Sequence, residues 1–216
     1  MHSVKVKICG ITNFKDAQAA VDMGADMIGF NFYRKSPRYI EPEKAEEIVL
    51  KLPGFVESVG LFVDTSIEDI DKIAGHRWMN WVQLHGDQGL EFCEEIGKRN
   101  VKVMKAVRVK TVSDIIQAQD YHTDAILLDS YVDNIYGGTG QRFDWSFLEN
   151  AEIDYFLAGG ISAENVDEAL QLGVYGLDVC SGIESCPGVK DHEKMKKLFS
   201  KINDFNSGLT LYGYKL

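Results

Sequence analysis

Cysteine is sparse in this chain. Four residues, Cys9, Cys93, Cys180 and Cys186, are spread over 216 positions, too few to staple a chain this long with a disulfide framework. No two of them stand at CxxC spacing, so no zinc site is expected and no metal is assigned. Basic residues are also short: 23 Lys and Arg stand against 33 Asp and Glu, a net charge of −10. A nucleic acid or an anionic membrane surface needs clustered positive charge. Neither is an expected partner, whereas a small anion stays open, provided local donors hold it. No apolar run approaches the roughly 18 residues of a membrane span, and the N-terminus lacks the apolar core of a signal peptide. The chain is expected in the cytoplasm, with free thiols.

What is present is a rhythm. Hydrophobic content of 45% suits a full core, and an apolar strand, a turn, an amphipathic helix and often a glycine recur along the chain. Strands are expected over 4–8, 27–32, 59–63, 81–84, 101–107, 125–129, 155–158 and 176–179. Asn13 caps a first helix that stops at Gly24; Pro42, Ser66, the segment near Gln88, Thr111, the surroundings of Trp145, Ser162 and the segment near Lys190 open the others. Eight such units at a period of about 27 residues fit a closed parallel (β/α)8 barrel, the TIM-barrel class of α/β fold, better than an open doubly wound sheet. No linker breaks the pattern. One barrel domain is expected over 1–205, with 206–216 as a C-terminal extension.

In a barrel of this kind the reactive groups stand at the C-terminal strand ends. Those ends carry Cys9, the 31–38 segment, Asp64, Gln83 with His85, Arg108, Asp129, Gly159 with Gly160, and Asp178 with Ser181 and Gly182. Cys9 is the organising residue. A thiol at the last strand position before a glycine is held facing a loop rather than lost in a core. Period-two alternation turns Lys5, Lys7 and Cys9 inward. Lys7 therefore sits one step below Cys9, where its ammonium lowers the thiol pKa, pairs with a buried carboxylate such as Asp178, or does both.

Asp129 ends a wholly apolar strand and reads as a poised acid in preference to a solvated loop residue. Arg38 follows Pro37 and is either an anchor or a surface arginine. Gln83 and His85 either line the pocket or complete the barrel layers. The glycine turns at 159–160 and 181–182 let backbone N–H groups approach a phosphate. The cluster at 137–140 lacks the Gly-Lys-Ser/Thr of a nucleotide loop and reads as a mobile loop over the site. Cys93, Asp64 and Arg108 read as structural, and Cys180 and Cys186 as bystanders.

Together the segments VKICGIT (6–12), GADMIGFNFYRKSPRYI (24–40), VGLFV (59–63), VQLHGDQ (82–88), KAVRV (105–109), LLDS (127–130), GGTGQRFDW (137–145), LAGGISAENV (157–166) and GLDVCSGIESCPGVKDHEKM (176–195) resemble the phosphoribosylanthranilate isomerases of tryptophan biosynthesis. The resemblance implies an Amadori rearrangement of N-(5-phosphoribosyl)anthranilate. It implies Cys9 as general base, Asp129 as general acid, Arg38 at the anthranilate carboxylate, and Gly159, Gly160, Ser181 and Gly182 at the phosphate. Lys7, Gln83, His85 and Asp178 complete the expected substrate pocket.

No cofactor is expected, because the substrate's own nitrogen becomes the electron sink. The expected partner is a small phosphosugar, and the expected assembly a monomer or homodimer. A pentose-phosphate epimerase would need a His and Asp ligand set that the strand ends do not supply. A sugar-phosphate binding module would tolerate loss of Cys9.

Overall fold

A computed structural model describes residues 3–75, 78–130 and 142–212, apart from the side chains of residues 150 and 209–212. Eight parallel strands close into a barrel in sequence order: β1 (Lys5–Ile8), β2 (Met27–Asn31), β3 (Glu57–Phe62), β4 (Trp81–Leu84), β5 (Lys102–Val109), β6 (Ala125–Ser130), β7 (Tyr155–Leu157) and β8 (Gly176–Val179). The ring is sealed by β1 on β8, where Lys7 stands opposite Asp178 and Ile8 opposite Val179.

Helices α1 (Phe14–Met23), α2 (Pro42–Val49), α3 (Ile67–Ala74), α4 (Leu90–Gly97) and α5 (Val112–Ala118) follow the first five strands, and α6 (Val166–Gln171) and α7 (His192–Tyr212) the last two. The starts follow from the sequence. The Asn13 side chain accepts from the Asp16 N–H at 2.9 Å, the Ser66 hydroxyl from Asp69 N–H at 3.2 Å, and Thr111 forms a reciprocal capping box with Asp114. Each satisfies a donor that the helix leaves open.

Three features differ from expectation. The helix after β6 is a single 3-10 segment, Trp145–Asn150. Helix α6 opens at Val166 rather than at Ser162, because Asn165 folds back: its side chain donates to Gly160 O at 2.9 Å and accepts from Ser162 N–H at 2.9 Å. Between β8 and α7 lies a 3-10 turn, Ser181–Ile183, followed by a hairpin of β9 (Glu184–Cys186) and β10 (Val189–Lys190). Helix α7 continues to Tyr212 through the start of the expected extension, and Val4 N–H donates to Asn206 Oδ1 at 3.0 Å.

Alternation divides the core in two. Val4, Val6 and Ile8 join the layer between sheet and helices. Met27, Val59, Trp81, Met104, Leu127 and Phe156 fill the lower barrel. Gly176 on β8 makes that filling possible, since a methyl group there would strike the Phe156 ring. Above this apolar plug the inward residues turn polar, and the plug is the floor of the site.

Candidate active site

Lys7 is fully buried, and its ammonium donates to Asp178 Oδ1 at 2.7 Å. Burial works against its charge, but Asp178 and Cys9 outweigh that and raise its pKa. Asp178 is pushed up to about 6, by burial first, with Lys7 opposing and Cys9 adding to the rise. The ammonium and carboxylate are each other's counter-ion, one layer below Cys9. Breaking such a pair strands a charge at a cost of about 3–5 kcal/mol. Lys7→Met is therefore expected to lower unfolding stability by that order in a urea titration. The variant should also move the alkylation profile of Cys9 to higher pH; an unchanged profile would remove Lys7 from thiol activation.

The Cys9 pKa is held well below that of a free thiol. The largest cause is a hydrogen bond with Cys180; burial opposes it, and the charges of Lys7 and Lys190 assist. The sequence pointed to Lys7, and the structure adds Cys180, so Cys180 is not a bystander. It follows Val179 just past the end of β8, as Cys9 follows Ile8 past the end of β1, and Cys9 N–H donates to Val179 O at 2.9 Å. Gly29 of β2 leaves room for this corner, since a methyl group there would lie 3.2 Å from Cys9 Sγ and 3.2 Å from Lys7 Cε.

Arg38 is buried rather than on the surface. Its Nε donates to Glu184 Oε1 at 3.0 Å and its Nη2 to Glu184 Oε2 at 2.7 Å. Glu184 also accepts from Lys190 Nζ at 3.0 Å and from Gly188 N–H at 3.2 Å. Burial alone would raise its pKa, but Arg38 and Lys190 lower it. Two cations around one carboxylate leave this side of the mouth electropositive, which favours both a thiolate and an incoming anion.

Across the mouth Asp129 is buried, and its Oδ1 accepts from Ser130 N–H at 2.8 Å. His85 Nε2 lies 3.2 Å from Asp129 Oδ2 without hydrogen-bond alignment, while His85 Nδ1 meets the Gln83 amide nitrogen at 3.0 Å. Gln83 Oε1 and His85 Nε2 find no hydrogen-bond partner among the described residues. Buried polar atoms of this kind are costly, and here they gather beside a carboxylate at the barrel mouth.

Asp64 and Arg108, which the sequence marks as structural, converge on Asp87. Asp64 Oδ1 accepts the Asp87 N–H at 3.0 Å, and Arg108 Nη2 donates to the Asp87 carboxylate at 2.6 Å. Asp64 is held at φ 45°, packed so closely on Gly86 that an added methyl would meet its carboxylate and lie 2.7 Å from its backbone nitrogen. Gly86→Ala is thus expected to cost about 1–3 kcal/mol by overpacking. A urea midpoint equal to wild type would show that the β4 loop shifts freely.

The late glycine turns interlock. Gly159 and Gly160 take φ values of 85° and 65°, a region open to glycine at little cost. A methyl on Gly159 would lie 2.8 Å from Ser130 Oγ and 3.0 Å from Asp129 Oδ1. Gly182 packs against the carbonyl of Ile161, which leaves no space for a Cβ. Ser181 and Gly182 therefore sit directly against the 159–162 turn. The 137–140 cluster lies outside the described residues. Cys93 is buried on α4, where burial raises its thiol, and Cys186 is exposed on β9.

The site residues missed from sequence were Cys180, Glu184 and Lys190. Alternation upward from Asp178 would have turned Cys180 inward. Glu184 and Lys190 gave no such signal, because the hairpin that folds them back on Arg38 has no strand-length apolar pattern.

Comparison with known proteins agrees with the closed barrel. The family model described as N-(5'phosphoribosyl)anthranilate (PRA) isomerase matches residues 6–201. The N-(5'-phosphoribosyl)anthranilate isomerase of Thermotoga neapolitana is 44% identical over 202 residues, covering 92% of this chain and 98% of the relative. The crystal structure of phosphoribosyl anthranilate isomerase from Thermus thermophilus superposes with a TM-score of 0.86 at 35% identity, covering 93% of this chain and 99% of that one. A phosphoribosyl anthranilate isomerase in complex with reduced 1-(o-carboxyphenylamino)-1-deoxyribulose 5-phosphate gives a TM-score of 0.82 at 40% identity, with coverage of 93% and 99%. With its closed barrel, its thiol on the rim of β1 and its carboxylate at the end of β6, the chain belongs to the N-(5'-phosphoribosyl)anthranilate isomerase family.

Proposed function

We propose that this chain rearranges N-(5-phosphoribosyl)anthranilate to 1-(2-carboxyphenylamino)-1-deoxyribulose 5-phosphate, with Cys9 as general base and Asp129 as general acid. The reaction is an intramolecular aldose–ketose isomerisation. Asp129 gives its proton to the furanose ring oxygen, and the ring opens to an iminium. The Cys9 thiolate then removes the proton from carbon 2, and the iminium nitrogen takes up the electron pair to form an enolamine. Tautomerisation delivers the ketone.

The observation that carries this reading is the placement of the two groups. Cys9 lies in a cationic corner that favours its thiolate, and Asp129 lies on the opposite side of the same mouth, beside Gln83 and His85. Acid and base can thereby reach the sugar from different sides. Lys7 and Asp178 act on Cys9 rather than on the substrate, since each holds the other. Arg38, oriented by Glu184, takes the anthranilate carboxylate, and the turns at 159–160 and 181–182 take the phosphate. No helix among the described residues is long and apolar enough to cross a membrane, and we place the enzyme in the cytoplasm.

The test is the decay of phosphoribosylanthranilate fluorescence with wild type and with single variants at positions 9 and 129. A wild-type rate surviving in both variants refutes the assignment.

A further inference from the structure

We propose that Cys9 and Cys180 form a dithiol that a hydroperoxide closes into a reversible disulfide at the mouth of the barrel. The backbone register carries the argument. Lys7 pairs with Asp178 and Ile8 with Val179 across β1 and β8, and the Cys9 N–H bond to Val179 O closes that last Ile8–Val179 step. Cys9 and Cys180 are each the next residue after that last pair, just past the ends of β1 and β8, where the axes of adjacent strands lie about 4.8 Å apart. Disulfides form when the Cα atoms are about 4.4–6.8 Å apart.

Both side chains also lie on the same face. Each stands two residues beyond a member of the inward Lys7–Asp178 pair, so alternation turns both inward. Cys180 packs against the cluster of Cys9, Leu61 and Val63. The groups around the pair are Lys7, Asp178, Arg38, Glu184 and Lys190; Lys190 Nζ lies 3.9 Å from Cys180 Sγ, and Glu184 Oε1 also lies 3.9 Å from it.

The chemistry closes with a hydroperoxide as the oxidant. The Cys9 thiolate attacks the outer peroxide oxygen, the O–O bond breaks, and Cys9 becomes a sulfenic acid while alkoxide or hydroxide leaves. The Cys180 sulfur then attacks the Cys9 sulfur, an S–S bond forms, and the sulfenic oxygen departs as water with the Cys180 proton. A dithiol reductant reverses the step. Cys180 thus serves as the resolving thiol, which protects Cys9 from irreversible oxidation to the sulfinic acid. The disulfide itself does not depend on the role of Cys9 in turnover; only its effect on activity rests on the reading above.

The experiment uses the full chain. Reduced wild type and the single variants Cys180→Ser and Cys186→Ala are exposed to hydrogen peroxide, quenched with N-ethylmaleimide in denaturant, and mapped by peptide mass. In wild type and Cys186→Ala the peptides of Cys9 and Cys180 should appear cross-linked, activity should fall in step, and dithiothreitol should restore it. In Cys180→Ser the link is absent, and dithiothreitol should recover only a minor part of the lost activity.

Absence of the link at peroxide levels that oxidise Cys9, or full recovery of Cys180→Ser by dithiothreitol, overturns the dithiol. A complete link with undiminished turnover upholds the dithiol and overturns Cys9 as the base.

Discussion

Replacing Cys9 by alanine is expected to lower kcat by about 10²- to 10⁴-fold, the range that a positioned general base supplies. That corresponds to about 2.7–5.4 kcal/mol of barrier. The thiol stands in a small cluster with Leu61 and Val63, so deletion of one sulfur atom leaves a small void, and the fold should lose only about 1 kcal/mol. Lys7 keeps Asp178 as its partner at 2.7 Å, so no buried charge is left stranded. Arg38 and the glycine turns stay in place, and binding of a reduced product analogue should remain within a few-fold of wild type. A large fall in kcat with affinity retained is the mark of an interaction made in the transition state. If Cys9→Ala turned over at the wild-type rate, the base would have to be sought elsewhere on the rim.

Much of this was legible in the sequence, for a physical reason. Strand alternation and helix capping are local, and they placed Asn13, Ser66 and Thr111 at helix starts and Lys7 and Cys9 on the inner face. In a closed parallel barrel all the strand ends open at one mouth, so locating eight strand ends was enough to bring Cys9, Gln83, His85, Asp129 and Asp178 together. What escaped was non-local. The clamp of Glu184 on Arg38 spans 146 residues and depends on a hairpin whose two strands hold three and two residues. The start of α6 moved because the Asn165 side chain competes with the backbone for Gly160 and Ser162, a contact that no periodicity records. Cys180 was legible by alternation, since it stands two residues beyond the inward Asp178.

Asp129→Asn is expected to cost a similar 10²- to 10⁴-fold in kcat, at a different step. Asparagine keeps the shape of the side chain and can still accept from Ser130 N–H, the contact made at 2.8 Å. The barrel should therefore stay folded. What the amide cannot do is hand a proton to the ring oxygen, so ring opening becomes the slow step. Substrate carrying deuterium at carbon 2 separates the two variants. In Cys9→Ala the bond to that deuterium breaks in the slow step, and the heavy substrate should react several-fold more slowly. In Asp129→Asn ring opening precedes that cleavage, and light and heavy substrate should react at nearly equal rates. Equal sensitivity to deuterium in both variants would mean that the two groups act on the same proton transfer. Asp129 would then orient His85, 3.2 Å away, rather than protonate the ring.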